Sequence, residues 1–389
     1  SERARYARPG LVTLADRIAS YIVVALLVVA GAVAAFWNVA APERAFVITL
    51  SVLVVTCPWA LAHATPAAIA PAGSRLSQLR LLVTHGDPMD TQARATTVIF
   101  AKTGTLTIGM PHITNVSVMD DAWTEEDCRR MAAALEHAAT HPLARAFALP
   151  GSLPMVSEEK IVVGQGVSGL VDGHEWRIGN AGFVGSAATP DDAATTHVFL
   201  GVDGKAVALF ELDDTVRTDA AGTIDTLRRL GLKAMLVSGD NQVAVDNVAR
   251  QLGITDAHAE CTPEDKLRII EEAQQNGERV VMVGDGINDA PVLAGADASI
   301  APAHGALLAQ TSADIIMLGE SLVPVTTAVT MSRKTMRIVR QNLAWAIVYN
   351  ALALPLAAAG FVPPWAAAIG MSASSLIVVM NALRLNRFE

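Results

Sequence analysis

ATTVIFAKTGTLT (residues 95–107) and RVVMVGDGINDAP (residues 279–291) decide the fold of this 389-residue chain. In each, a short apolar run breaks abruptly into a turn of Gly, Thr and Asp. A continuous apolar run closed by a turn signal reads as a strand buried on both faces, as in a parallel sheet. KAMLVSGD (233–240) repeats the pattern. Between these strands the spacing predicts helices near 220–230, 241–252 and 263–276. Strands alternating with helices, with polar residues gathered at the strand C-termini, predict a doubly wound sheet whose site lies along those ends.

Outward from this centre, HVFLGVDGKAVALFEL (197–212) reads as a strand pair turning at Asp203-Gly204. Residues 111–206 read as an α+β insert that interrupts the sheet between 84–110 and 207–325. The insert opens with Thr124-Glu-Glu-Asp127, a capping-box pattern ahead of a helix reaching Glu136.

The mean hydropathy of +0.38 is too high for an ordinary soluble enzyme, and the excess sits near the two ends. Four apolar blocks, at about 18–37, 45–70, 341–360 and 364–383, approach the ~20 residues that cross a bilayer core. They divide between a first segment, 1–83, and a last one, 326–389, and short connectors make each pair a helical hairpin. Arg3, Arg5, Arg8, Arg17, Arg75, Arg80, Arg333, Lys334, Arg337, Arg340, Arg384 and Arg387 flank the far ends. The positive-inside rule then places both termini and the whole middle in the cytoplasm of an integral, multi-pass protein. The basic start leads into the first block without a cleavage signature, so no removable leader is expected. A net charge of −9 with no basic tract excludes a nucleic-acid partner. Cys57, Cys128 and Cys261 are too scattered for a disulfide framework, and the last two read as inert structural thiols.

AKTGTLT (101–107) and GDGINDAP (284–291), together with Ser238-Gly239-Asp240, AECTPEDK (259–266) and Asp214 and Arg217 of DDTVR, resemble the haloacid dehalogenase-like core of the P-type ATPases. That family's signature is Asp-Lys-Thr-Gly-Thr-Leu-Thr, so Ala101 stands where the resemblance places the phosphorylated carboxylate. It implies that Lys102, Thr103, Gly104 and Thr105 surround the transferring phosphoryl group with Ser238, Gly239, Asp240 and Lys266. It implies Mg²⁺ on Asp285, Asn288, Asp289 and Thr103.

In the insert, Glu136, His141-Pro142, the glycines Gly164, Gly166 and Gly169 of GQGVSG, and Gly179-Asn180 resemble the ATP-binding elements of the heavy-metal branch, where a glycine loop surrounds the adenine. His137 has no such support.

In the spans, Cys57-Pro58-Trp59 stands where copper pumps carry Cys-Pro-Cys at a helix unwound by its proline. Tyr349-Asn350, Met371 and Ser374-Ser375 match the copper branch, and thiolate with thioether suits Cu(I). Trp59 removes one soft ligand. The resemblance therefore implies an ATP-driven Cu(I) exporter of the plasma (inner) membrane, supplied by a copper chaperone. A Zn(II) or Cd(II) pump and a non-catalytic nucleotide- or copper-sensing relative are the alternatives. It runs from the family's third core span onward and lacks the actuator domain with its Thr-Gly-Glu loop. Leu318-Gly319-Glu320 is a turn beyond the core. The chain thus reads as a fragment with its acceptor removed, able to bind Mg-ATP and unable to turn over.

Overall fold

The computed structural model describes residues 11–56, 62–84, 88–137, 139, 142–162, 165–186, 196–285, 289–305 and 307–387. Cys57, Pro58, Trp59, His141, Gly164 and Asn288 lie outside them.

Both quoted stretches are central strands. A seven-stranded sheet runs β1 (Leu81–Val83), β13 (Ile315–Met317), β12 (Ala298–Pro302), β11 (Val280–Val283), β2 (Thr97–Ala101), β9 (Lys233–Val237), β10 (Asp256–His258) in spatial order. All neighbours pair in parallel except β1 with β13. Every residue of β2, β11 and β12 is buried, which is why their sequences show no alternation. Register does the rest. Phe100 pairs with Val283 and Ala101 with Val237, so the three runs end level and their following residues emerge at one sheet edge.

The chain leaves this sheet at Thr107 for a second, antiparallel one. Its order is β3 (Thr107–Val118), β8 (Lys205–Val216), β7 (Thr196–Val202), β6 (His174–Gly179), β5 (Gly166–Val171), β4 (Ser157–Val162). The β7–β8 hairpin turns at Asp203-Gly204, as the sequence predicts.

Nine helices of ten or more residues are described, numbered here in chain order. They are α1 (Leu11–Ala40), α2 (Pro42–Val55), α3 (Pro66–Gln78), α4 (Glu125–Glu136), α5 (Ala220–Arg229), α6 (Gln242–Leu252), α7 (Pro263–Gln275), α8 (Val323–Ala358) and α9 (Pro364–Ala382). Thr124 and Thr262 close capping boxes with Asp127 and Asp265, so α4 and α7 start where their sequences say.

The helical ends correct two expectations. The second apolar block is not one helix, since α2 ends at Val55 and α3 begins at Pro66. The third block is the far half of α8, whose first half carries Val325, Val329 and Met336 into the core beside the first sheet. A hydropathy window centred on the apolar half does not register this polar, sheet-packed extension. Among the described residues one helix, Pro364–Asn386, is long and apolar enough to span a bilayer, against the four spans expected. The two helical pairs nevertheless touch: the Trp37 indole donates to the Ala358 carbonyl at 2.9 Å, and Val52, Val55, Ala357 and Ala367 share a small core.

Candidate functional site

The sheet edge holds Lys102, Ser238 and Asp285, each at or just past the end of its strand. Lys102 Nζ meets Asp240 Oδ2 at 2.8 Å, and Ser238 Oγ donates to the same oxygen at 2.7 Å. Burial alone would raise the Asp240 carboxyl, but the Lys102 ammonium and these hydrogen bonds outweigh it and hold the carboxyl below its usual range. The first turn of α7 delivers Lys266, whose Nζ meets Asp289 Oδ1 at 2.8 Å with both side chains nearly inaccessible. Asp285 is the least comfortable charge. Burial, reinforced by the Asp289 carboxylate, pushes its carboxyl up to about 6.

The turn after β2 is shaped by Gly104, which takes a φ of +68°; a Cβ there would lie 1.7 Å from Asp285 Oδ2. Only glycine lets this backbone approach that carboxylate. Arg217, buried, braces the turn from below. Its Nε donates to the Thr105 carbonyl at 2.8 Å and its Nη2 to that of Gly104 at 3.2 Å. Asp214 accepts from the Gly109 amide at 3.0 Å and from the Thr107 hydroxyl. The Thr105 hydroxyl is buried without a hydrogen-bond partner. Ala101 ends β2, 2% exposed, and offers a methyl where the signature has a carboxylate.

A cavity of about 1050 Å³ opens from this edge and runs between the two sheets. Lys102, Thr103 and Asp240 line one end. Glu136, Gly166, Gly179 and Asn180 line the other. Gly166 and Gly169 stand within β5, and not in the loop that the resemblance implies. Gly166 pairs directly with Gly179, and a Cβ on either would meet a backbone oxygen at 2.1 Å. Asn180 caps the next helical turn through the Phe183 amide at 2.9 Å. Pro142 opens the 142–147 turn, and Gly239 lies against the Cys261 carbonyl. Burial pushes the Cys128 thiol up to about 11, which suits an inert thiol.

Sequence reasoning missed several of the groups gathered here. His304 sits within 3.2 Å of the Gly104 carbonyl and 3.1 Å of Arg217. It follows β12, so its place beside a strand end of the same sheet was a readable signal. Gln165, His197, Asn247 and Gln251 also line the cavity; no local motif marks them.

In the helical part, α8 carries Tyr349 and Asn350, and α9 carries Met371 and Ser375. The two helices face one another here: Trp345 Nε1 donates to Ser374 Oγ at 3.1 Å, and a Cβ on Gly370 would lie 2.8 Å from the Tyr349 hydroxyl. Asn350 Oδ1 and Ser375 Oγ are buried without hydrogen-bond partners.

Residues 95–297 match the haloacid dehalogenase-like hydrolase family. The chain is 39% identical over 405 residues to the cation-transporting P-type ATPase B of Mycobacterium tuberculosis, covering all of this chain and 54% of that protein. It is 37% identical over 400 residues to the copper-exporting P-type ATPase of the same organism, covering all of this chain and 52% of the relative. The crystal structure of a zinc-transporting PIB-type ATPase in an E2.Pi state superposes with a TM-score of 0.76 at 30% identity, over 96% of this chain and 64% of that one. The chain therefore spans about half the length of the curated relatives it matches. With its strand-end charge cluster and these likenesses, it belongs to the haloacid dehalogenase-like hydrolases and, among them, to the heavy-metal branch of the P-type ATPases.

Proposed function

We propose that the chain is the nucleotide-binding, phosphoryl-transfer and ion-exit portion of an ATP-driven soft-metal pump, with Cu(I) as cargo, held before phosphoryl transfer by Ala101. The observation that carries this reading is the level ending of β2, β9 and β11. It brings Lys102, Ser238 and Asp285 to the sheet edge at which Ala101 ends β2 with a methyl in place of a carboxylate, and Lys266 reaches Asp289 there. A carboxylate at 101 would attack the γ-phosphorus and release ADP, leaving an aspartyl-phosphate. A methyl has no lone pair to offer.

The acidic end suits Mg²⁺. Asp289 is buried and Asp285 half-buried, both are acidic, and Lys266 pairs with Asp289. Among the described residues no three His, Cys, Asp or Glu side chains form a cage. That agrees with an ion that takes one or two carboxylates and completes its shell with phosphate oxygens and water. Asp285, Asp289 and Thr103, with Asn288, would hold it. When bound it would offset charge on the transferring oxygens. Lys102 and Lys266 add fixed positive charge at the same edge, and Arg217 keeps the loop in place.

For the cargo, Met371 and Cys57 are soft donors, and no Asp, Glu, Lys or Arg lies between 45 and 74, 341 and 383. This favours Cu(I) over Zn(II), the ion named for the structural relative. The orphaned Asn350 and Ser375 oxygens support a site between α8 and α9 that a passing ion would satisfy. Membrane placement rests on the outward-facing Phe36, Phe46, Leu352, Leu356, Ile369 and Leu376, an apolar surface that water would not tolerate.

The test is Ala101→Asp. Acid-quenched reactions with radiolabelled ATP should give hydroxylamine-labile label on this variant and none on the Ala101 chain. An unlabelled Ala101→Asp variant that still binds ATP would favour the non-catalytic sensor. Cu(I) stimulation of labelling without Zn(II) stimulation would support the cargo.

A further inference from the structure

From 326 to 388 the chain carries Arg333, Lys334, Arg337, Arg340, Arg384 and Arg387 and no Asp or Glu, although the whole protein has a net charge of −9. The arginines of α8 are spent unequally. Arg333 turns inward, and its guanidinium donates to the Leu230 and Ala95 carbonyls at 2.6 and 3.4 Å. Arg337 and Arg340 are exposed, and neither has an ion-pair or hydrogen-bond partner among the described residues.

Residues three and four apart share one face of a helix. Arg337, Arg340 and Gln341 are therefore followed on their face by Ala344, Ile347, Val348 and Leu352, all of them exposed. One outward face thus passes from guanidinium to hydrocarbon within about one turn, or ~5 Å. The end of α9 joins it from the side. Asn381 Nδ2 donates to Gln341 Oε1 at 3.2 Å and to Asn342 Oδ1 at 2.9 Å, while its Oδ1 accepts from Arg384 Nη1 at 2.8 Å. This amide bridge brings a third exposed guanidinium alongside Gln341, with Met380 and Leu383 exposed beside it. The positive-inside rule accounts for the sign of these charges but not for their arrangement.

We propose that Arg337, Arg340 and Arg384 form a surface for the headgroup of an anionic phospholipid, whose chains lie along the apolar continuation of α8 and α9. The proposal rests on the membrane placement given above. A guanidinium fork matches two phosphate oxygens at once. A headgroup such as phosphatidylglycerol leaves its negative charge uncompensated for the three arginines to meet. Phosphatidylcholine carries a quaternary ammonium that the same arginines repel. A water-soluble anion meets only the charged half of the surface, whereas a lipid meets both halves.

The full chain in neutral detergent is incubated with equal amounts of phosphatidylglycerol and phosphatidylcholine of identical chains, and retained lipid is counted by native mass spectrometry. Phosphatidylglycerol should be retained about fivefold or more over phosphatidylcholine. With Arg337→Gln, Arg340→Gln and Arg384→Gln combined, the ratio should fall to within about twofold of unity. Phosphatidylcholine retention and thermal unfolding should stay as they were, which shows the helices intact. Glutamine at Arg130, Arg229 and Arg250, exposed on α4, α5 and α6, removes the same charge elsewhere and should leave the ratio unchanged. Inorganic phosphate at constant ionic strength should not displace the lipid. Equal retention of the two lipids by the unmodified chain would overturn the proposal, as would a preference that survives the first triple variant or yields to inorganic phosphate. A chain that retains neither lipid and stays in solution without detergent would instead remove the membrane placement beneath it.

Discussion

The two ends of the cavity are built on opposite principles. At the end where we propose that the phosphates lie, the structure is held by what side chains supply: Lys102 on Asp240, Lys266 on Asp289, and Arg217 on the turn carbonyls. At the base end it is carried largely by what is left out, for Gly166 and Gly169 of β5 and Gly179 of β6 clear space that any Cβ would fill. A charge substitution at the first end should alter chemistry and spare the fold. An added methyl at the second should alter the fold locally and chemistry only as a consequence.

The largest expected effect falls on the exception to this division. Gly104 is an omission at the charged end: its φ of +68° disfavours a side chain, and a Cβ would lie 1.7 Å from Asp285 Oδ2. Gly104→Ala should destabilise the chain by about 2–4 kcal/mol, combining a strained backbone with displacement of the half-buried Asp285 carboxylate. Thermal unfolding of the detergent-solubilised chain reads the loss, and Mg²⁺-dependent ATP binding should fall with it. A variant as stable as the parent would mean that the turn relaxes freely and that its tight approach to Asp285 has no energetic weight.

Next in size is a contrast inside the base end. A Cβ at Gly166 would meet the Ile178 carbonyl oxygen at 2.1 Å, whereas one at Gly169 would meet Val156 Cγ1 at 2.3 Å. A backbone oxygen on a paired strand cannot move without breaking the ladder, but a valine methyl can rotate away. Gly166→Ala should weaken ATP binding by about tenfold or more, a loss of about 1.4 kcal/mol, and Gly169→Ala by clearly less. Equal losses would show that the strands there shift as a unit.

This contrast also marks where the sequence could be read. The strand ends at the proposed phosphate end were legible because β2 and β11 are buried throughout and β9 over its last three residues. Their apolar runs stop where the sheet stops, and the first polar residue after each, Lys102, Ser238 or Asp285, stands at the shared edge. The base end was legible only as a motif. Gly166 faces Gly179 across two strands, and thirteen positions of sequence separate the pair, so no local pattern shows that each clears room for the other. Glu136 could be named by its motif, but no local pattern shows that it is buried. His304 reaches Gly104 only through the alignment of β12 beside β11. In the helical part, hydropathy located the apolar blocks but not the helices. α8 continues without a break from sheet-packed Val325 to Ala358, because helix propensity is indifferent to whether water, protein or lipid lies outside.

The smallest expected effect separates the two ends most cleanly, because the same device serves both. Thr124 caps α4 and Thr262 caps α7, each accepting from the amide of an aspartate three residues on at 3.1 Å while that aspartate accepts from the threonine amide. Replacing either threonine by alanine should cost about 1 kcal/mol, the usual worth of such a cap. The stability losses should therefore match, but their consequences for binding should not. Lys266 lies in the first turn of α7, and its amide donates to the Thr262 carbonyl at 3.0 Å. Fraying at Thr262 frees the residue whose ammonium holds Asp289, and so unsettles the carboxylate pair. In α4 the cavity-lining residue is Glu136, at the opposite end of twelve residues and buried. Fraying at Thr124 stops well short of it, since end effects fade within a turn. Thr262→Ala should thus weaken Mg-ATP binding by about two- to threefold, the share of ~1 kcal/mol that reaches the site, and Thr124→Ala should leave it unchanged. Equal weakening by both variants would mean that α4 and α7 transmit the loss through global softening, and the two ends of the cavity would then have to be treated as one cooperative structure.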